Sequence, residues 1–195
     1  MAAGYIEHAR PIVAGTMADR IAIVGQAPGE IEHHVGQPFA GRSGAELRRW
    51  LARAGIDERH LPYRTAITKC FPGKSRDGGG DRRASPAEIA LCAPWLAQEL
   101  AQLRPRVILL LGSLAIQRFW GKTSLADAVG TARVIDGVTY IALPHPSGAS
   151  RWLNDPAHRA LLERGLAQLR IAAKTLDKRT SEPRIRGERA NDGGR

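Results

Sequence analysis

The chain has 195 residues, 43% of them hydrophobic and 25% charged, and its formal net charge is +10. This length and composition fit one globular domain with a substantial core. No apolar run is long enough to cross a bilayer, and the first residues lack the pattern of a secretion signal, so we expect a cytoplasmic protein without a membrane partner. Two cysteines are too few for a disulfide framework. The positive charge favours a polyanionic partner, although charge alone does not separate DNA from RNA or from a plain basic surface.

The run IAIV at 21–24 is short, apolar and unalternating, which is typical of a strand buried on both faces of a parallel sheet. Ligand crevices in such sheets lie beyond the carboxyl ends of strands, so residues 25–39 are expected to line a site. Gly25 and Gly29 permit close backbone approach, Pro28 fixes a bend, and the free N–H groups of such a turn can hold an anion or a carbonyl oxygen. The alternative is an ordinary strand-to-helix turn, and the glycine spacing alone favours it.

The next segments alternate between helix and strand signals. Residues 43–54 are amphipathic and predict a helix, with Ser43 and Glu46 spaced as a capping box and Gly55 closing it. Residues 63–68 have strand propensity. Residues 74–84, rich in glycine and basic side chains, predict a flexible loop able to touch phosphates.

The second half repeats this alternation. Ser85, Pro86 and Glu88 open a helix predicted to run to Leu103. The further predicted elements are a buried strand at 106–112, a helix at 113–120, two extended runs within 130–143 around an Asp136-Gly137 turn, and a final amphipathic helix at 155–173.

Together these elements predict a single domain over residues 1–173, a three-layer α/β/α sandwich about a central, mostly parallel four-stranded sheet. Residues 1–20 are expected to pack loosely on it. Residues 174–195 carry seven Lys/Arg against four Asp/Glu and predict a basic, disordered tail, which accounts for only +3 of the +10 charge. The loops at 25–44 and 144–152 both follow strands and are expected to meet at one end of the sheet.

The segment GQAPGEIEHHVGQPFAGRSG at 25–44 resembles the first motif of the uracil-DNA glycosylase superfamily, especially its bacterial and archaeal iron–sulfur branch. The resemblance continues in register through YRTAITKC at 63–70, SPAEIALCAPWL at 85–96, RVILLLG at 106–112 and HPSG at 145–148. It covers residues 20 to 170. It implies an enzyme that flips uracil out of DNA, hydrolyses its N-glycosidic bond and leaves an abasic site for base excision repair. We also expect the protein to be a monomer.

The resemblance also implies roles for residues of the pocket. His145 corresponds to the histidine that stabilises the departing base, and Glu32 to the carboxylate that positions or activates water, with Glu30 as the alternative. Phe39 matches the aromatic side chain that stacks on the base. The residues expected to border the base are Gln26, Ala27, Gly29 and Ala66.

A second group is implied to contact DNA. Its members are Pro28, Lys69, Ser147, Gly148, Arg151 and Trp152. The run HPSGASR also looks like a motif of the mismatch-specific uracil glycosylases, which makes Arg151 the leading intercalating or phosphate-binding residue. Trp152 is either an apolar wedge or a side chain that packs on the last helix.

Three differences from the family's pattern limit which residue roles can be transferred to this chain. Ala66 stands in place of the family's pyrimidine-recognising Asn, and Ala27 stands where the best-known branch has a water-activating Asp. Cys70 and Cys92 match two ligands of the iron–sulfur branch, but no CxxC precedes them and two thiolates cannot hold a four-cysteine cluster. We therefore predict no cluster and no other metal or organic cofactor, with both cysteines as buried, inert thiols.

Three alternatives remain open at this point, one of them a nucleotide- or RNA-binding α/β domain, for which the order of the motifs offers little support. Ala66 makes another deaminated base, such as hypoxanthine or xanthine, a credible substrate. A non-catalytic binder of uracil-containing or abasic DNA is also consistent with the basic surface, and it would bind in a salt-sensitive way without releasing a base.

Overall fold

The computed structural model describes residues 9–57, 59, 61–76, 80–147 and 151–181, with the side chains of 177–181 excepted. Within these residues the chain forms an α/β domain. Its elements, in order, are β1 (Ile21–Gly25), α1 (Glu30–Val35), α2 (Arg42–Arg53), β2 (Tyr63–Ala66), α3 (Pro86–Leu103), β3 (Val107–Leu111), α4 (Gly112–Trp120), α5 (Leu125–Ala128), β4 (Ala132–Ile135), β5 (Val138–Leu143), a 3₁₀ turn (Arg151–Asn154) and α6 (Pro156–Ser181).

The sheet has five strands in the order β2-β1-β3-β5-β4, so the prediction of four strands is wrong. The first four strands are parallel, and β4 pairs antiparallel with β5. The extra strand comes from the predicted turn, in which Asp136 and Gly137 both have positive φ, 50° and 76°. That conformation is typical of a tight hairpin, and it folds β4 back as an edge strand.

The core lies on both faces of the sheet, which confirms the predicted three layers. All five residues of β3 are buried, and they alternate between the two faces. Ile108 and Leu110 pack in a cluster with Leu96, Leu103 and Ile116 of the helices α3 and α4. On the opposite face β3 packs against side chains of α2 and α6, namely Leu47, Trp50, Leu51, Leu162, Leu166 and Leu169.

Helix boundaries follow local signals with two corrections. The capping box of Ser85 and Glu88 is present, but α2 begins at Arg42 with Gly41 as its N-cap, so Ser43 does not cap it. Helix α6 continues to Ser181, beyond the predicted end at 173. The remainder of the predicted tail, 182–195, lies outside the described residues. Within the described part of the chain, no helix is long and apolar enough to span a membrane.

The segment before β1 is not loosely packed where the structure describes it. Ile12 is 2% exposed, and its N–H donates to the Lys69 carbonyl at 2.8 Å. Ala14 and Arg64 exchange two backbone hydrogen bonds of 3.0 and 2.7 Å. Arg10 donates through its guanidinium to the carbonyls of residues 33 and 34 at the end of α1. This strap therefore ties α1 to the edge of the sheet beside β2.

Candidate active site

A cavity of about 210 Å³ lies at the carboxyl ends of β1, β2 and β5. It brings together the loop after β1 and the loop after β5, which the sequence analysis expected to meet. Eight residues assigned to the site line it, namely Gln26, Ala27, Pro28, Gly29, Glu32, Phe39, Ala66 and His145. Side chains separated by more than 100 positions in the chain thus share one pocket.

Glu32 connects the two glycine-rich segments that form one wall of the pocket. It occupies the third position of α1, a helix that the sequence analysis did not predict. Its Oε2 accepts the N–H of Gly29 at 3.0 Å, and its Oε1 accepts the N–H of Gly41, also at 3.0 Å. Gly29 and Gly41 are the N-caps of α1 and α2. The carboxylate therefore supplies the capping that neither glycine side chain can.

Phe39 lies in a strained backbone conformation next to the loop after β1. Its φ is 57°, a left-handed value that is a genuine outlier for a bulky residue. A Cβ placed on Gly44 would lie 1.6 Å from the Phe39 carbonyl oxygen, so this turn closes only because residue 44 is glycine. The Phe39 ring in turn reaches Gly25, where a Cβ would lie 3.0 Å from its tip. Strain of this kind collects at functional sites.

His145 follows β5 and packs against the start of α4. Gly112 has φ of 81°, and a Cβ there would lie 3.2 Å from the His145 Cβ, so glycine leaves the space that the histidine occupies. Burial lowers the pKa of His145, and the negative charge of Glu32 opposes this shift in part. The imidazole is therefore neutral at neutral pH, and a neutral ring can donate one hydrogen bond into the pocket.

Lys69, which the resemblance implied would contact DNA, is buried in the fold. It is 8% exposed, and its ammonium forms an ion pair with Glu99 and donates to the Ala66 carbonyl at 3.0 Å. Tyr63 and Thr65 donate to the same Glu99 carboxylate at 2.7 and 2.9 Å. Burial lowers the pKa of Lys69, and the Glu99 contact opposes that shift. The lysine is part of a buried polar network beneath the pocket.

The predicted DNA-contacting loop after His145 is described in part. Ser147 lines a surface groove together with Arg42 and Arg49, and it follows the pocket residue His145 by two positions in the sequence. Arg151 is exposed, whereas Gly148 lies outside the described residues.

Trp152 packs on the last helix, one of the two readings left open by the sequence. It stacks on His158 of α6 with ring centroids 4.0 Å apart and planes within 3°. The His158 Nδ1 also lies 2.8 Å from the Trp152 carbonyl oxygen, which holds the two residues together. The ring is therefore engaged within the fold.

The residues present do not fit an iron–sulfur cluster. Cys70 is buried, Cys92 is partly buried, and these are the chain's two cysteines. Burial first, and the neighbouring Cys92 second, raise the pKa of the Cys70 thiol. Among the described residues, no group of three or more His, Cys, Asp or Glu is placed to hold a metal. Two thiols fall short of the four that such a cluster takes.

Sequence reasoning did not assign Ile12 and Thr65 to the pocket, and it also missed two charged residues that line it, Asp81 and Arg82. These two charged residues lie in the segment that was predicted to be a flexible loop, but Lys74 and Asp81 form a β-bridge there. The sequence offers one signal in this segment, an acidic residue and two arginines that follow three glycines. This pattern predicts a turn, and it carries no information about a contact with α1.

The fold and the site define an α/β protein with a partly polar pocket at the carboxyl end of its sheet, on a basic chain. A family model described as the Uracil DNA glycosylase superfamily matches residues 14–168. The chain belongs to this superfamily, as its motifs predicted.

Individual relatives agree with this assignment. The chain is 32% identical over 152 residues to the Type-4 uracil-DNA glycosylase of Thermotoga maritima, covering 76% of each protein. It is 28% identical over 190 residues to the Type-4 uracil-DNA glycosylase of Saccharolobus solfataricus, covering 91% of this chain and 84% of that protein. A 37% identical match to the Type-4 uracil-DNA glycosylase of Archaeoglobus fulgidus covers 53% of this chain and 48% of that protein.

Proposed function

We propose that this chain is a monomeric, monofunctional DNA glycosylase that flips uracil out of DNA and hydrolyses its N-glycosidic bond, leaving an abasic site for base excision repair. The observation that carries the proposal is the cavity that Glu32, Phe39 and His145 line together. Membership of the superfamily and the names of the relatives support the same reaction.

The cavity suits a flipped base. Its floor is made by residues with little exposure, such as Ile12 at 2% and Ala66 at 6%. Phe39 offers an aromatic face for stacking, and Gln26 adds an amide at the wall. A base bound in this cavity is removed from bulk water. Because the dielectric constant is lower there, every electrostatic contact between the pocket and the base becomes stronger.

Charge separates as the bond to the base breaks, and the pocket has a group for each sign. Negative charge develops on the departing uracil, and the neutral His145 ring can donate a hydrogen bond to its O2 oxygen. Positive charge develops on the sugar, and the Glu32 carboxylate beside the loop after β1 offsets it. Both groups are held in place before the substrate arrives, so little reorganisation is needed during the reaction.

We propose that this reaction needs no bound metal or organic cofactor. The step is a hydrolysis that involves no electron transfer, and the donor set of the chain does not fit a four-cysteine cluster. Freshly purified protein should show no visible iron–sulfur absorption, whereas such a band with stoichiometric iron would contradict the proposal.

A second candidate is release of another deaminated base, such as hypoxanthine. Ala66 lines the pocket with a methyl group, so no side-chain amide at this position reads the pyrimidine edge. The Ala66 carbonyl oxygen already accepts a hydrogen bond from the Lys69 ammonium. A site without that side-chain amide discriminates less strongly between bases.

The test is incubation with labelled oligonucleotides carrying uracil, hypoxanthine or a thymine mismatch, in single- and double-stranded form, followed by alkali. Strand cleavage at uracil is expected for the wild type, together with a loss of about 10²-fold or more for His145→Ala. His34→Ala is the matched control, because His34 is exposed and does not line the pocket. Salt-sensitive binding without cleavage of any substrate would instead identify a non-catalytic binder.

A further inference from the structure

Asp81 lies on the rim of the pocket, at the end of a short hairpin between β2 and α3. The Arg82 N–H donates to the Gly73 carbonyl at 3.0 Å, and the Ser75 N–H donates to the Gly80 carbonyl at 2.8 Å. These backbone bonds close the hairpin on both sides of Asp81. The carboxylate is therefore carried by paired backbone.

An ion pair and a hydrogen bond hold Asp81 against its own hairpin and α1, and the next residue joins the hairpin to α3. Its Oδ2 accepts the Glu30 N–H at the start of α1 at 3.2 Å, and its Oδ1 lies 3.2 Å from the Lys74 ammonium, which also pairs with the Glu30 carboxylate. The next residue, Arg82, forms a two-pronged ion pair with Glu88, which is 3% exposed. A carboxylate supported in this way keeps one position, as a reacting group requires.

Asp81 and Glu32 approach each other across Gly29. A Cβ placed on Gly29 would lie 2.8 Å from Asp81 Oδ2 and 2.8 Å from Glu32 Oε2, so these oxygens are at most twice that distance apart. Two carboxylates thus lie side by side in the wall of one pocket, with the small Gly29 between them. Carboxylates paired in a pocket are candidates for general-base chemistry.

The depth of each group in the cavity separates their roles. The floor is buried, with Thr65 at 1% and Ala66 at 6% exposure, while the Asp81 side chain is 39% exposed at the opening. A flipped nucleotide stays attached to the DNA backbone, so its base reaches the floor and its sugar stops at the rim. Both Glu32 oxygens are hydrogen-bonded within the pocket wall, to the N–H groups of Gly29 and Gly41, whereas Asp81 lies at the exposed opening, on the side from which the sugar of a flipped nucleotide would approach.

We propose that Asp81 is a catalytic residue that holds the hydrolytic water against C1′ of the flipped nucleotide, an inference that rests on the proposed glycosylase function. The water oxygen forms a bond to C1′ while the bond from C1′ to N1 of the uracil breaks. The electron pair of the broken bond leaves with the base. The water proton passes to the Asp81 carboxylate. Glu32 then acts through the charge it holds behind Gly29 and through the two turns that it braces.

The experiment measures single-turnover release of uracil from a labelled oligonucleotide by the wild type, Asp81→Asn, Asp81→Glu and the control Asp136→Asn. The control changes the same functional group at the β4–β5 turn, where Asn also tolerates positive φ. A general base contributes about 10²- to 10⁴-fold, so Asp81→Asn should lose at least about 10²-fold. Asp81→Glu should recover about tenfold or more of that loss, and the control should match the wild type.

Two further readouts separate catalysis from support of the fold. Asp81→Asn should lower the thermal midpoint by no more than about 2–4 °C, because the ion pair with Lys74 joins exposed side chains. It should keep the wild-type affinity for DNA carrying a tetrahydrofuran abasic analogue. Asp81→Asn with wild-type rates, or with parallel losses of stability, binding and rate that Asp81→Glu does not rescue, would overturn the role of Asp81 while leaving the proposed function intact. A wild type that releases no base would overturn the proposed function itself.

Discussion

Replacement of Glu32 should destabilise the protein as well as slow it, because this carboxylate holds two backbone turns at once. Its two oxygens each accept one N–H, from Gly29 and from Gly41, at 3.0 Å. A hydrogen bond to a charged group contributes about 1.5–3 kcal/mol, and a partly buried donor left without a partner adds to the cost. Glu32→Gln keeps one acceptor oxygen and turns an NH₂ group toward the other N–H, so it should lose about 2 kcal/mol. Glu32→Ala loses both bonds and should lose about twice as much.

For a chain of this length, 1 kcal/mol corresponds to about 2–4 °C in the thermal midpoint, so Glu32→Gln should unfold about 4–8 °C below the wild type. The matched control is Glu30→Gln on the same helix, because the Glu30 ion pair with Lys74 joins side chains that are 44% and 51% exposed. Exposed pairs of this kind contribute about 0–1 kcal/mol. The assay is thermal unfolding followed by circular dichroism. Equal midpoints for Glu32→Gln and Glu30→Gln would refute the bracing role.

Two other predictions concern base selection and acid stability. Ala66→Asn places an amide on the pocket floor and should raise uracil release about tenfold relative to hypoxanthine release, as one added hydrogen bond would do; equal changes for both bases would contradict this reading. The Arg82 guanidinium and the cap of α3 lower the pKa of Glu88 to about 2 from an ordinary 4.5. Its contribution, about 3 kcal/mol, should be complete above pH 4.5 and be lost as the pH falls toward 2. In denaturant unfolding, the free energy of unfolding should therefore fall more steeply between pH 4.5 and pH 2 for the wild type than for Glu88→Gln. Identical pH dependences for the two proteins would argue against this contribution of Glu88.

The local pattern of the chain determined most of the secondary structure. Three features are each encoded by a few neighbouring residues, which interact whatever the rest of the chain does. They are the buried strand β3, the capping box of Ser85 and Glu88, and the Asp136-Gly137 turn. The motif around Gly25 to Gly44 likewise identified the superfamily and one wall of the pocket. Helix α1 escaped prediction because it has six residues and no buried side chain, and hence no apolar periodicity.

Only the tertiary structure decided which polar side chains face the pocket. Lys69 follows a strand at the edge where sites collect, yet its ammonium turns inward because Glu99, thirty positions away, compensates its buried charge. Asp81 accepts a hydrogen bond from the N–H of Glu30 in α1, which lies 51 positions away in the sequence, and no local pattern encodes that contact. Periodicity and capping report on neighbours along the chain, whereas the site depends on pairs that meet only after the sheet has formed.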